Sequence, residues 1–84
     1  MVKVIVDCEN LIQKKKAHLY LAQMLDFPEY YGKNLDALFD CLTEMSDCTI
    51  TLEKAEFLRD GYGAKVLKVM RDAVRENPGL IIKI

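Results

Sequence analysis

Three short segments rich in β-branched residues constrain the fold of this chain more than any other feature. Val2–Val6, Cys48–Leu52 and Leu80–Ile84 contain mainly valine, isoleucine, leucine and threonine, a composition that favours strands. Strands separated by helices form parallel sheets with right-handed crossovers. A chain of 84 residues has room for one domain. We therefore predict one small two-layer α/β domain over residues 1–84, with a three-stranded parallel sheet packed against three to four helices.

Apolar residues recur at helical spacing between these segments. The predicted helices are Lys14–Leu25, Asn34–Met45 and Ala64–Glu76. The middle helix has the clearest pattern, and its side chain at Asn34 is a good N-cap. Its apolar stripe consists of Leu35, Leu38, Leu42 and Met45. A connection with a helical turn at Ala55–Leu58 precedes the last helix. Gly61 and Gly63 are expected to end this connection.

A loop is predicted over residues 26–33, because Pro28 ends the preceding helix. Tyr30 and Tyr31 are adjacent in this loop, so one is expected to pack inward and the other outward. The first strand is expected to be buried on both faces, as in many parallel sheets.

Acidic residues are concentrated in the middle of the chain. Between Asp26 and Asp47 six acids and one base, Lys33, give a charge of −5, whereas the whole chain carries −1 and the remainder therefore +4. The acids are Asp26, Glu29, Asp36, Asp40, Glu44 and Asp47. A concentrated acidic patch suggests a basic partner and argues against nucleic acid, which calls for a basic patch. Charge alone leaves open an ordinary solvated helix face.

The cysteine content and hydropathy pattern argue against several classes. Cys8, Cys41 and Cys48 have no CxxC spacing and accompany a single histidine, which predicts neither a disulfide framework nor a metal site. No apolar stretch approaches the roughly 20 residues of a membrane span, and the first apolar run is too short for a signal peptide. We expect a cytoplasmic protein with reduced thiols and no cofactor.

Few residues could support catalysis. His18 is expected at the polar edge of the first helix, in a structural or solvated role. Asp36 and Asp40 lie one helical turn apart, but a catalytic carboxylate pair needs a pocket and an exposed helix face is the preferred interpretation. We predict no catalytic residue and no enzymatic activity.

Phe39 lies between the two aspartates and off the apolar stripe. An aromatic ring among charges is typical of an interface anchor. An equally supported alternative is that Phe39 lies beneath the tyrosine loop and completes the core. Asp36 can also stabilise the helix locally, because an acid in the first turn complements the helix dipole.

Residues 28–43 read Pro-Glu-Tyr-Tyr-Gly-Lys-Asn-Leu-Asp-Ala-Leu-Phe-Asp-Cys-Leu-Thr. This segment resembles the central segment of the barstar family nearly residue for residue. The order of predicted elements is similar over the whole chain, and Val69–Ala73 resembles the last helix of the family. The resemblance implies a bacterial immunity protein that inhibits a small, basic, barnase-like ribonuclease inside the cell that secretes it.

The same resemblance implies roles for five residues. Asp40 is expected to enter the basic pocket that holds a substrate phosphate, and Asp36 to meet further basic groups. Tyr30 would cover the region of the catalytic histidine, and Phe39 would supply apolar contact. Asp72 would add a carboxylate from the last helix. The inhibitor would act as a monomer in a one-to-one complex, without contacting nucleic acid or a membrane.

Several positions depart from the family pattern. Phe39 replaces the usual tryptophan, Lys33 replaces an acid, and Asp72 is one methylene shorter than the usual glutamate. The connection between Glu53 and Ala64 is shorter, and the chain is much less negative. These departures leave a second interpretation open, in which the chain is a barstar-like interaction module for a different basic protein.

Overall fold

The computed structural model describes residues 2–84, in which strands and helices alternate along the chain. In order, the elements are β1 (Val2–Asp7), a 3₁₀ helix (Cys8–Leu11), α1 (Lys14–Met24), α2 (Leu35–Thr43), β2 (Cys48–Glu53), a second 3₁₀ helix (Ala55–Leu58), α3 (Gly61–Glu76) and β3 (Leu80–Lys83). The predicted helical turn at Ala55–Leu58 is confirmed as the second 3₁₀ helix.

The three strands form one parallel sheet in the order β1-β2-β3. Cys48 at the start of the central strand lies opposite Val2 of β1 and opposite Leu80 of β3. The predicted three-stranded parallel α/β fold is therefore confirmed.

The core lies between the helices and one face of the sheet. Alternate side chains of each strand point into the core, because successive side chains of a strand point to opposite faces of the sheet. Its buried side chains are Val4, Val6, Cys48, Ile50, Leu52 and Leu80. The helices supply a second buried layer, which consists mainly of Ala17, Leu21, Leu38, Leu42, Val66, Met70 and Ala73.

The other face of the sheet corrects the prediction for the first strand. Ile5 is 57% exposed on β1 and Ile81 is 45% exposed on β3, so β1 is buried on one face only. The prediction was wrong because a short apolar run does not show on how many faces helices will pack. The exposed side chains of this face lie on the two edge strands, whereas Thr49 of the central β2 is only 6% exposed.

Helix α2 begins where its capping residue predicts. The Asn34 side-chain oxygen accepts a hydrogen bond from the backbone N–H of Ala37 at 2.7 Å. Leu38 and Leu42 of the predicted stripe are fully buried, and Leu35 and Met45 pack half-buried against the core. The helix ends at Thr43, two residues before the predicted end.

Helix α3 begins three residues earlier than predicted, so Gly61 and Gly63 lie in its first turn and do not close the connection. Gly61 has a φ of +62°, which favours glycine. A Cβ atom at Gly63 would lie 2.6 Å from the carbonyl oxygen of Phe57. The glycines allow the helix to start directly beside the second 3₁₀ helix, a contact that spacing alone does not reveal.

Candidate partner-binding surface

The loop over residues 26–33 and the solvent side of α2 form what we name the acidic surface. It includes four of the five predicted site residues, namely Tyr30, Asp36, Phe39 and Asp40. Asp36 and Asp40 are both exposed, one helical turn apart. The fifth predicted residue, Asp72, belongs to α3.

The two tyrosines of the loop point in opposite directions, as predicted. Tyr30 is 89% exposed, whereas Tyr31 is 6% exposed. The ring of Tyr31 packs against Phe27, with ring centroids 4.8 Å apart, and its backbone N–H donates to the carbonyl oxygen of Pro28 at 3.0 Å. Burial of Tyr31 therefore fixes the loop against the core and leaves the Tyr30 ring exposed to solvent.

A buried histidine lies behind this loop. His18 is fully buried, with the Tyr31 hydroxyl 2.6 Å from Nδ1 and the Tyr62 hydroxyl 2.5 Å from Nε2. Desolvation, with a smaller contribution from Lys14, lowers the pKa of His18. The predicted polar-edge position of His18 was wrong, because its two partners come from the loop and from α3, which are distant in sequence. Its interpretation as a structural residue agrees with these contacts.

Phe39 combines features of both alternatives drawn from the sequence. It is half-buried and packs against the hydrophobic core. Part of its ring is therefore committed to folding, and the remainder is accessible on the helix that carries the exposed carboxylates of Asp36 and Asp40.

A groove of about 360 Å³ lies beside Asp36. Lys14 of α1 and Lys65 of α3 line it, together with the ring of Tyr62. The two lysines place positive charge at this end of the acidic surface, which weakens the local negative potential. Asp40 does not line this groove. The two aspartates thus have different neighbours, although they share one helix face.

Tyr30 lines a second groove, of about 240 Å³, at the other end of the acidic surface. Glu44, Cys41 and Met45 are among its lining residues. The groove therefore combines an exposed carboxylate with apolar side chains. Burial and two nearby acids raise the pKa of the Cys41 thiol, which keeps it in the less reactive protonated form.

Asp72 has a different environment from the other predicted site residues. Its carboxylate is 3.5 Å from Nζ of Lys68 and 3.9 Å from the guanidinium of Arg75, both on its own helix. It also lines a groove with Arg59 and Arg71. Lys68 stands four residues before Asp72 and Arg75 three residues after it, so these ion-pair spacings are visible in the sequence.

The residue types that could support catalysis or bind a metal can be located within the described part of the chain. In residues 2–84 no group of three or more histidine, cysteine, aspartate or glutamate side chains could hold a metal ion. Both ring nitrogens of the single histidine are occupied by tyrosine hydroxyls. The three cysteines are free thiols, and no helix in this part of the chain is long and apolar enough to cross a membrane.

Together these features define a small parallel α/β protein with an exposed acidic face on α2. The chain matches the family model described as Barstar (barnase inhibitor) over residues 1–82, and it belongs to the barstar family. It is also similar to a protein of Bacillus subtilis (strain 168) named "Putative ribonuclease inhibitor YrdF". The two are 40% identical over 81 residues, which cover 90% of this chain and 89% of the relative. These relationships support a ribonuclease-inhibitor role.

Proposed function

We propose that this protein inhibits a small, basic, barnase-like ribonuclease by placing its acidic surface in the active-site cleft. The observation that carries the proposal is the pair of exposed carboxylates, Asp36 and Asp40, on one face of α2. The exposed ring of Tyr30 belongs to the preceding loop and lines a groove with Cys41 of the same helix. The protein acts as a monomer in a one-to-one complex and protects the cytoplasm of the cell that makes the enzyme.

The chemistry of the target explains why carboxylates suit this task. A ribonuclease cleft is cationic because it binds the phosphates of RNA. Asp36 and Asp40 are separated by about 6 Å along the helix axis, so each can meet a separate cationic group. The inhibitor carries the negative charge of a substrate but contains no phosphodiester bond to cleave. Long-range attraction between the two surfaces also accelerates association.

The different neighbours of the two aspartates suggest that they contribute unequally to binding. Lys14 and Lys65 line the groove beside Asp36, whereas they do not share a groove with Asp40. We assign the larger contribution to Asp40, as the carboxylate that enters the phosphate pocket. Tyr30 and Phe39 supply apolar contact around it. Asp72 is a peripheral contact, because Lys68 and Arg75 already lie beside its carboxylate.

Titration of RNA cleavage tests the proposal directly. A barnase-like ribonuclease is assayed at low salt with increasing amounts of the protein, and inhibition is expected to saturate at one equivalent. Asp40→Ala should weaken binding by at least about 2 kcal/mol, or about 30-fold, because it removes a central charge from the contact. Glu53→Ala, which removes an exposed carboxylate at the end of β2, is the matched control and should inhibit normally.

Thermal unfolding of the same variants separates binding from folding. Asp40 is exposed, so Asp40→Ala should change the free energy of unfolding by no more than about 0.5 kcal/mol. If the variant unfolds, Asp40 is structural and its assignment to the interface is wrong. Undiminished inhibition by a folded Asp40→Ala variant would also contradict the mechanism.

A different basic protein is the second candidate partner. The lysines beside Asp36 and the presence of Phe39 favour this possibility, because both alter the charge and the aromatic contact of the surface. Failure of the wild-type protein to inhibit the ribonuclease, combined with Asp40-dependent binding of another basic protein, would support it.

A further inference from the structure

The flank of α3 remote from the acidic surface carries a cluster of cations. Leu67 and Arg71 lie roughly opposite Tyr62 and Lys65 around the helix, at about 100° per residue. Tyr62 and Lys65 line the groove beside Asp36. In residues 2–84 no carboxylate lies within the 4.0 Å ion-pair distance of Arg71, whereas Asp72 contacts the nearby Lys68 and Arg75. This flank therefore has a cation available for an external partner.

An apolar groove of about 330 Å³ separates this flank from β3. Arg71 and Arg75 form its cationic rim. Its apolar lining consists of Leu67, Val74, Ile82 and Ile84. Ile84 is 70% exposed, so this end of the groove is accessible to solvent.

The groove lies beside an open edge of the sheet. β3 is the last strand in the order β1-β2-β3 and pairs with β2 on one side. Within residues 2–84 its other side carries a row of backbone N–H and C=O groups without a strand partner. Such an edge is a template for the addition of an extended segment, with specificity provided by pockets for alternate side chains.

We propose that an extended acidic peptide segment of another protein docks here as a fourth strand beside β3. This interaction goes beyond the proposed ribonuclease inhibition and uses a separate groove, whose rim residue Arg75 also contacts Asp72, the peripheral residue of the inhibitory complex. Side chains two residues apart on an extended strand are separated by about 6.6 Å. Arg71 and Arg75 are separated by about 6 Å along the helix axis, so acids at alternate positions can meet both guanidinium groups.

The two sides of the added strand would meet different surfaces. Glutamates on one side place their methylenes over the apolar lining and their carboxylates at the arginine rim. Apolar side chains on the other side lie next to Ile81, which is exposed on the outer face of the sheet. Single-stranded RNA fits less well, because it binds largely by base stacking on aromatic rings and the lining of this groove contains none.

The probe is a fluorescein-labelled octapeptide of alternating glutamate and valine, added to the full chain at low salt. Fluorescence anisotropy should show saturable binding that is weakened about tenfold or more by Arg71→Glu and by Arg75→Glu. Lys16→Glu makes the same charge reversal on the exposed side of α1 and should bind within twofold of wild type. Inhibition of the ribonuclease, measured in parallel, should be unchanged in Arg71→Glu.

Methylation of alternate backbone nitrogens in the peptide separates strand addition from simple charge attraction. The methylated peptide keeps every glutamate but loses backbone donors, so binding should be lost. The proposal is overturned if this peptide binds as well as the parent, or if Arg71→Glu and Lys16→Glu weaken binding equally. Arg71→Gln provides the same test without charge reversal, and circular dichroism confirms that each variant is folded.

Two further measurements can overturn the choice of partner. Binding of an unstructured RNA oligonucleotide that requires Arg71, without binding of the acidic peptide, would assign the groove to nucleic acid. Sedimentation as a dimer that Arg71→Glu converts to a monomer would assign it to a second copy of this chain.

Discussion

The Asn77 side chain connects the end of α2 to the turn that precedes β3. Its side chain is buried, and Nδ2 donates to the carbonyl oxygens of Leu42 at 2.9 Å and Met45 at 2.7 Å. Its Oδ1 accepts from the backbone N–H of Gly79 at 3.0 Å. One side chain thus adds a partner to the Leu42 carbonyl, which also accepts from the backbone N–H of Met45 at 3.3 Å, and supplies one to the Met45 carbonyl just beyond α2.

Asn77→Ala should therefore lower the free energy of unfolding by about 2–3 kcal/mol, since it removes three hydrogen bonds made by one buried side chain. Urea denaturation measures this change. Asn10→Ala is the matched control. Asn10 is half-buried and its side chain makes one hydrogen bond, to the carbonyl oxygen of Asp7 at 3.3 Å. This substitution should lower the free energy of unfolding by about 1 kcal/mol or less. Equal losses in the two variants would show that the Asn77 contacts contribute little.

The start of α3 shows how an element depends on close approach between backbones. The helix begins beside the second 3₁₀ helix, with Gly63 buried at the contact. A Cβ atom there would meet the carbonyl oxygen of Phe57 at 2.6 Å, and backbone atoms cannot move aside as a flexible side chain can. Gly61 has open space around its Cβ position but a positive φ.

Gly63→Ala should destabilise the protein by about 2–3 kcal/mol, because the added methyl group overpacks the contact between α3 and the 3₁₀ helix. Gly61→Ala is a useful comparison, since its cost of about 1 kcal/mol comes from backbone strain alone. Thermal unfolding of both variants distinguishes the two costs. A Gly63→Ala variant as stable as wild type would mean that α3 shifts away without loss of packing.

At the scale of the molecule, His18 ties three separate segments together. It belongs to α1 and contacts Tyr31 of the loop and Tyr62 of α3 through its two ring nitrogens. A neutral imidazole provides one donor and one acceptor for these hydroxyls. Because the site is fully buried, the neutral ring is favoured and the pKa of His18 lies below its ordinary value of 6.5.

This lowered pKa predicts a loss of stability in mild acid. Below pH 6.5 the unfolded chain binds a proton on His18 and the folded chain does not, so the free energy of unfolding falls as pH decreases. The loss grows until the pH reaches the folded-state pKa and then stays constant. Above pH 6.5 both states are neutral at this residue, and its contribution does not change with pH.

Urea denaturation at pH 7.5 and pH 5.5 measures this dependence, in a range above the ordinary titration of carboxylates. His18→Gln is expected to be less stable at both values and to lose most of the difference between them. If His18→Gln retains the wild-type difference, the pH dependence arises from another group.

Much of the fold is predictable because its signals are local. The β-branched segments specify the strands, Asn34 specifies the start of α2, and the alternation of elements specifies a parallel sheet. In the candidate site, adjacent tyrosines indicate that only one ring can pack inward. The assignment of Asp36, Phe39 and Asp40 to a partner stays a prediction, since it came from family resemblance and needs the binding experiments above.

The remaining features depend on residues that are far apart in sequence. The burial of His18 requires tyrosines from two other segments, and the need for glycine at position 63 arises from the carbonyl of Phe57. The open outer face of the sheet depends on where the helices pack. Local periodicity determines which face of an element is apolar, but only tertiary packing decides what covers that face and which polar groups meet there.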